Sequence, residues 1–575
     1  VERSRGLGDV YKRQAIACTA AMTVSLISGC GGASDKGQKE AVKEAEGTAK
    51  EDLPLAKYPE TVTVHLGGKM NPNAKIPKGM SFEDNSYTRL LKENLNIQVV
   101  YDWTASTSDY DEKMSLCIGS NTIPEIMNVN ATQYRALLKY DMIQPLDKYF
   151  DDYASDALKS YVKSGGEELQ KCITNEDGEL MAIPAPNLTA GGVNEMWIRQ
   201  DWLDALGLDV PRTWDELAEV AKAFVTRDPD GNGENDTIGI LGPGNSDHMN
   251  AVGGNQFGLD PLFSCFQSYP QYWLKSEDGS VEYGSIQPET KTALENISKL
   301  YADGVIDPET LVRSDSKEPL LAGKVGIFFG PWWCAYTFAD TTLSGSADWR
   351  AYFTPLSEDG KYYTHMAEPT TQYVVASKDC KNPEAAFKII NYIVANEQKW
   401  VEEGVTSTEM GTGDFYPLYN TYDNADEIEK SYEALTKYLA GDISMDDVDF
   451  STHKLLKNDM EAVTKLKKKP YDDFSLKYWN LDSDLAKTNL PRLVAIMVGD
   501  APLVNEEYVP VYNAYNGQTE TMEAKWANLK KMEEETFAKI IMGKADISEF
   551  DTFVKNWKNQ GGDQILKEIN DELSK

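Results

Sequence analysis

The stretch "NIQVVYDW" at residues 96–103, with "YDEKMSLCIGS" at 110–120 and "PEIMNVN" at 124–130, reads as strand, helix, strand. Working outward, "TVTVHLG" at 61–67 alternates and ends in glycines, and "NSYTRLLKENL" at 85–95 carries a helical pattern. Strands alternating with helices of this length predict an α/β domain with a largely parallel sheet. Ligands in such sheets sit at the carboxyl ends of the strands. That rule puts His65, Trp103, Asn128 and Asn130 on one rim, with Trp103 a candidate stacking residue and Asn128 and Asn130 candidate polar contacts.

A second α/β unit follows. "NEMWIRQDWLDALGL" (194–208) leads into "VPRTWDELAEVAKAF" (210–224), where Thr213 and Glu216 form a capping box and Leu217, Val220, Ala221 and Phe224 one apolar face. "KVGIFFGPWWCAYTF" (324–338) reads as a buried strand running into a Gly-Pro turn with two tryptophans. "QYVVASKD" (372–379) is a strand before the helix "NPEAAFKIINYIVA" (382–395), and the last 60 residues are helical, broken at Gly561-Gly562.

Composition narrows the function. The chain has 575 residues, 41% hydrophobic, with 30 Tyr, 17 Phe and 12 Trp, enough for a sizeable core and for two to four domains. With 57 basic against 92 acidic residues the net charge is −35, which argues against a nucleic-acid partner. Of the seven cysteines, Cys117, Cys172, Cys265, Cys334 and Cys380 are far apart and show no CxxC spacing, so free thiols are expected, with a single disulfide as the alternative.

The beginning of the sequence bears on compartment. "VERSRGLGDVYKRQ" (1–14) reads as a translated adapter artefact and is set aside. "AIACTAAMTVSLISG" (15–29), preceded by Lys12 and Arg13, has the layout of a signal peptide and is too short for a stable membrane span. Ile27-Ser28-Gly29-Cys30 resembles the bacterial lipobox, in which the cysteine is lipidated and becomes the mature N-terminus; an ordinary signal peptide is the alternative. Residues 30–57 are small and charged and read as a disordered tether.

No enzyme signature stands out. The four histidines (His65, His248, His365, His453) lack ligand spacing, and there is no G-x-S-x-G, P-loop or GxGxxG. With 92 carboxylates, some pair at glycosidase distance arises by chance. The aromatic residues are the better clue. Trp332 and Trp333 leave a buried strand at the sheet rim, where an indole offers a flat apolar face and a polar N–H edge suited to a sugar. Trp197 and Arg199, at the start of the second unit, are further ligand candidates; Arg199 with Asp201 has a surface ion pair as its alternative. Trp202 and Trp214 sit inside helix patterns and read as core. "TRDPDGNGENDTIGI" (226–240) spaces Asp228, Asp230, Asn232, Glu234 and Asp236 two apart, like the first nine positions of a calcium loop, but position twelve is Gly239. A structural calcium clip and a metal-free polar turn both remain open at this stage.

Taken in order, these segments resemble the extracellular solute-binding proteins of ABC importers, in the carbohydrate-binding, maltose-binding-protein-like family and its large lipoprotein subgroup of Firmicutes. "IQPLDKYF" (143–150), "GELMAIP" (178–184), "MWIRQDWLDALGLDVPRTWDEL" (196–217), "GKVGIFFGPWW" (323–333), "KNPEAAFKIINYI" (381–393) and the tail from "EEETFAKIIMG" (533–543) carry the likeness from about residue 58 onward. Departures are Ser120–Glu125 in place of a Gly-Asp-x-Pro-Asp turn, and Asn130, Ala131 and Thr132 where maltose-binding protein has a charged pair.

The resemblance implies an α/β, two-lobe periplasmic-binding-protein-like fold (type II), each lobe a mainly parallel sheet flanked by helices, with the ligand cleft between lobes. Residues 58–187 and 360–430 would form lobe 1, and 188–359 and 431–575 lobe 2. It implies a monomeric receptor on the extracellular face of the cytoplasmic membrane, anchored through Cys30, without catalysis, capturing an oligosaccharide for ABC permease subunits. A peptide or other solute is the runner-up, a surface polysaccharide lyase or hydrolase the reading from another class. Some members, alginate-oligosaccharide binders among them, resemble this chain in a structural Ca2+ loop. Asp228, Asp230, Asn232 and Asp236 would then supply side-chain oxygens and Glu234 its backbone carbonyl.

Overall fold

Two sheets with separate apolar cores organise the chain in a computed structural model. It describes residues 50–574 except 75, 246–255, 344–346, 403–414, 419–421, 451–452, 454 and 466–483. The signal-peptide, lipobox and tether readings, with Cys30, fall outside the described residues apart from the end of the tether, as does His248. The strands are β1 (Val62–Met70), β2 (Ile97–Ser106), β3 (Ile126–Val129), β4 (Ile183–Pro184), β5 (Glu195–Arg199), β6 (Ile238–Leu241), β7 (Trp273–Lys275), β8 (Val281–Tyr283), β9 (Val325–Gly330), β10 (Trp349–Tyr352), β11 (Tyr362–His365), β12 (Tyr373–Ala376) and β13 (Tyr508–Val511).

The first sheet runs β2-β1-β3-β12-β4 and the second β10-β5-β9-β6, with two-stranded β11-β13 and β7-β8 beside them. The helices start where side chains can cap them. Asn85 and Thr88 close a box at Ser86–Leu95, Asn130 and Gln133 one at Ala131–Lys139, and Thr213 and Glu216 the expected one at Trp214–Thr226. Leu217, Val220, Ala221 and Phe224 all face inward, and the Phe224 ring meets Trp202 edge-on at 5.3 Å. Each such ring taken fully out of water is worth about 1.5–3 kcal/mol.

The sheets are mixed, not mainly parallel. β1 pairs in parallel with β2 and β3, but β12 runs antiparallel to β3 and β4. In the second sheet β6 and β9 are parallel, while β5 is antiparallel to both β9 and β10. The reason lies in the crossovers. β5 and β12 each follow directly from a segment arriving from the other sheet, so they enter from the rim at which β3 and β9 end. A strand entering at that rim must run against them.

Three segments carry the chain between the lobes, at 185–194, 366–372 and 422–427, and they lie side by side. Asn187 donates from its backbone N to Pro369 O at 2.8 Å and from its amide to Glu368 O at 2.8 Å, and Thr189 N donates to Ala425 O at 2.8 Å. The strand β11, expected in lobe 1, pairs instead with β13 and packs with Val193, Phe353 and Tyr508. The second crossing therefore falls after Met366, not at residue 360. At the end of the chain Gly561 takes φ +137, breaking Glu549–Trp557 from Asp563–Leu573 as expected.

Candidate functional site

A cleft of about 1310 Å³ opens over the crossovers. Its first-lobe wall is Tyr134, Arg135 and Leu138 from the helix that follows β3, with Glu168, Lys171 and Cys172 from Gly166–Ile173. Its floor includes Asn187, Gly192, Met366 and Glu368. A Cβ on Gly192 would come within 3.1 Å of Ala367 N, so glycine lets the two crossovers touch. The second-lobe wall is Trp332 and Trp333 after β9, Tyr272 and Lys275, and the turn Tyr512–Gly517 after β13.

The geometry explains why these side chains gather. β9 is buried along its whole length and ends at Gly330-Pro331, which turns the chain across the rim. Trp332 is only 5% exposed and packs into the second lobe's core, whereas Trp333 is partly exposed. Tyr134 stacks on Tyr373 at 4.5 Å and 9° between ring planes, and the Tyr272 hydroxyl donates to Met366 O at 2.5 Å. Burial pushes the phenols of Tyr134, Tyr272 and Tyr373 well up, so all three stay neutral donors. Asn516 Oδ1 is out of solvent with no partner. A sugar needs such a lining: apolar ring faces for its C–H surface, and amide and hydroxyl groups for its hydroxyls.

Of the residues singled out in the sequence, the structure brings only Trp332 and Trp333 to this cleft. Trp103 packs on Tyr110 at 5.3 Å and lies over Gly67, where a Cβ would be 2.5 Å from the indole; that close approach is why glycine stands there. Asn128 donates to Gln372 Oε1 at 3.3 Å, and Asn130 is spent as a helix cap. His65, on β1, lies 2.7 Å from Asp102. Trp197 is 0% exposed, stacked on Phe328 and edge-on to Phe338, because every side chain of β5 is covered on both faces. Arg199 is 3% exposed, pairs with both oxygens of Asp201 at 2.7 and 2.5 Å, and lies 4.6 Å from the Trp202 ring, so the pair joins a buried guanidinium to a carboxylate at the surface. The structure thus assigns Trp197 and Arg199 to the core and not to the cleft wall.

The tyrosines and asparagines of the wall escaped the sequence reading. A signal existed: "YVPVYNAYNG" (508–517) is a strand running into an aromatic and asparagine-rich turn, the same logic as "FFGPWW". Arg135 and Glu368 had none, since nothing in their own segments distinguishes them from surface charges. All five interior cysteines are free thiols, and burial pushes Cys265 and Cys380 up to about 12.

In the 228–236 loop Asn232 ties the carboxylates together. Its amide donates to Asp230 Oδ2 at 2.9 Å and Asp236 Oδ1 at 3.3 Å, and its backbone N donates to Asp228 Oδ1 at 3.1 Å. Glu234 N donates to Asn232 Oδ1 at 2.6 Å. Partial burial, with Asp228 and Asp236 close by, raises the Asp230 carboxyl, while Lys324 at 2.9 Å lowers that of Asp236. An all-oxygen, like-charged set of this kind fits a hard divalent cation, although among the described residues no group of three acids, histidines or cysteines is already drawn together around one. Gly239 cannot be the twelfth ligand's position: a Cβ there would meet Val305 O at 2.6 Å and Ala221 O at 2.7 Å.

Comparison with known proteins gives a consistent picture. The model of the bacterial extracellular solute-binding protein family matches residues 75–400, more than half of the chain. The fructooligosaccharide ABC transporter substrate-binding protein FusA of Streptococcus pneumoniae serotype 4 is 30% identical over 259 residues, 42% of this chain and 45% of that protein. Lipoprotein LipO of Bacillus subtilis is 28% identical over 251 residues, and the chain again spans 45% of its length. The polygalacturonan/rhamnogalacturonan-binding protein YtcQ of Bacillus subtilis is 23% identical over 519 residues, 87% of this chain and 92% of that one. Among solved structures, an HMO-binding, ABC-transporter-associated solute-binding protein from Bifidobacterium longum infantis superposes with a TM-score of 0.54 at 18% identity, over 88% of this chain and 97% of that one. FusA of S. pneumoniae in complex with kestose gives 0.50 at 17%, with the same coverages. At such identities the likeness is one of fold, the two-lobe α/β fold of solute-binding proteins.

Proposed function

Since the chain belongs to the family of bacterial extracellular solute-binding proteins, a family of receptors and not of enzymes, we propose that it captures an oligosaccharide in the cleft and delivers it to an ABC importer. The observation that carries this is the cleft itself: a recess of about 1310 Å³ whose walls combine Trp333, Tyr272 and Tyr512 with Asn187, Asn513 and Asn516. No bond is broken; capture rests on stacking and hydrogen bonding. Trp333 serves as the platform and Trp332 as its buried support. Contacts to both walls at once would favour a closed arrangement about the three crossovers, a population shift paid from ligand binding.

In this reading the protein is held at the outer face of the cytoplasmic membrane through a lipidated Cys30 and acts as a monomer. No helix among the described residues is long and apolar enough to cross a membrane. Ca2+ held by Asp228, Asp230, Asn232, Glu234 and Asp236 pins the turn between the helix Trp214–Thr226 and β6. Asn130 supports the first-lobe wall as the cap of its helix, and Trp103 and Asn128 pack elsewhere in that lobe, outside the cleft lining. The test is a thermal-shift screen against glycan and peptide panels. A ligand at 100 times its Kd adds about 2.7 kcal/mol of stability. A shift with peptides and none with any glycan would refute the carbohydrate reading.

A further inference from the structure

Resting on the reading that the cleft holds an oligosaccharide, we propose that its ligand is acidic, a uronate-bearing oligosaccharide whose carboxylate is taken by Arg135. Three cationic and three acidic residues line the cleft: Arg135, Lys171 and Lys275 against Glu168, Glu368 and Glu572. Their engagements are unequal. Glu168 and Lys171 lie 2.5 Å apart and cancel one another. Glu572 accepts the Tyr515 hydroxyl at 2.9 Å. Burial raises the Glu368 carboxyl, with Arg135 opposing this less strongly.

Arg135 makes no hydrogen bond or ion pair with any described residue, and its Nη1 is out of solvent with no acceptor. Lys275 is exposed and enters no ion pair among the described residues. The formal charges of the lining balance, three against three, but Arg135 is left without a hydrogen-bonded or ion-paired acid. A neutral glycan gives the unpaired guanidinium no ionic partner, because its hydroxyls are served by the asparagines and tyrosines of the wall. A guanidinium whose Nη1 is out of water and without an acceptor carries an unmet donor, and its planar fork matches a carboxylate through two parallel N–H···O bonds.

Position supports the same assignment. Arg135 stands on the helix Ala131–Lys139, fixed at its start by the Asn130 cap and along its side by the Tyr134–Tyr373 stack. The guanidinium is therefore presented from a firm wall and not from a loop. The acidic surface repels an anion at long range, so the attraction of Arg135 acts only once the ligand is in the cleft.

The test is calorimetric titration of the full chain with oligogalacturonates, alginate oligosaccharides and oligoglucuronates, each beside its carboxyl-reduced neutral counterpart, and with neutral fructo-, gluco- and galacto-oligosaccharides. One uronate series should bind, its reduced form should bind about 10- to 100-fold more weakly, and added salt should weaken only the acidic ligand. Arg135→Gln should cost the acidic ligand the same factor and the reduced one markedly less, and Arg135→Lys should restore part of the loss on the acidic ligand. The wild-type comparison needs no variant, so a misfolded substitution cannot mask the outcome. Equal affinity for acidic and reduced ligands, or binding of neutral glycans alone, overturns the role of Arg135 and leaves the glycan receptor standing. Failure of every glycan overturns the receptor reading beneath it.

Discussion

Replacing the two carboxylic acids buried behind the tryptophan platform by their amides should stabilise the second lobe, and the gain should grow with pH. Glu195 and Asp500 are both 0% exposed, and neither has a hydrogen-bond partner for any carboxyl oxygen. Glu195 opens β5 opposite Gly330, two residues before Trp332. Asp500 follows Gly499, where a Cβ would lie 2.6 Å from Trp332 O. Burial first, then the charges of Asp500 and Glu506, push Glu195 well above the carboxylate range. Burial and then Glu429 push Asp500 up to about 9, and burial with Asp426 and Glu433, eased by Lys430, takes Glu429 up to about 7.

The unfolded chain gives up these protons near pH 4 and the folded chain only later, so over that interval the folded state binds more protons and stability falls as pH rises. The contribution is whole below about pH 4 and is lost through about pH 7 for Glu429 and about pH 9 for Asp500. Each unit of separation is worth about 1.4 kcal/mol. Glu195→Gln with Asp500→Asn should therefore gain on the order of 4 kcal/mol over wild type at pH 7 for each carboxyl replaced, and little at pH 4.5. Denaturant unfolding of both proteins across this range provides the reading. His365, pulled down to about 3 by burial between Tyr269 and Tyr272, acts the other way, costing stability as pH falls below its ordinary value near 6.5. It is common to both proteins and cancels in the difference. An increment independent of pH, or a loss at pH 8, would refute the reasoning.

Other expectations follow from single contacts. Trp333→Ala should weaken glycan binding by at least about tenfold with little change in melting temperature, whereas Trp197→Ala should lower stability by about 3–5 kcal/mol, both read by calorimetry. Thr213→Ala removes the cap that accepts from Glu216 N and should cost about 1 kcal/mol in denaturant unfolding. EDTA should lower the melting temperature of wild type but not that of Asp228→Ala with Asp230→Ala; an unchanged wild-type melt would mean that the loop is a metal-free turn.

Legibility of the sequence followed the range of the forces involved. The capping box at Thr213, the apolar face through Phe224 and the break at Gly561-Gly562 are local, and each stands where the periodicity predicts. Strand direction is not local. Nothing within "QYVVASKD" tells that β12 enters from the far lobe and must run against β3. The same limit applied to the site. Trp332 and Trp333 were legible because a buried strand ends in a Gly-Pro turn beside them, but Trp197 looks equally aromatic and lies in a strand covered on both faces. Arg135 becomes visible only when the fold brings Glu168 to Lys171 and leaves the guanidinium without a partner.

The most direct test of the receptor account is a calorimetric titration of the best glycan from the thermal screen into wild type and Trp333→Ala, followed by chromatography of the recovered glycan. The account predicts saturable one-to-one binding by wild type, a loss of affinity in the variant, and a glycan recovered uncleaved. Cleaved glycan, or equal affinity in the two proteins, would contradict it.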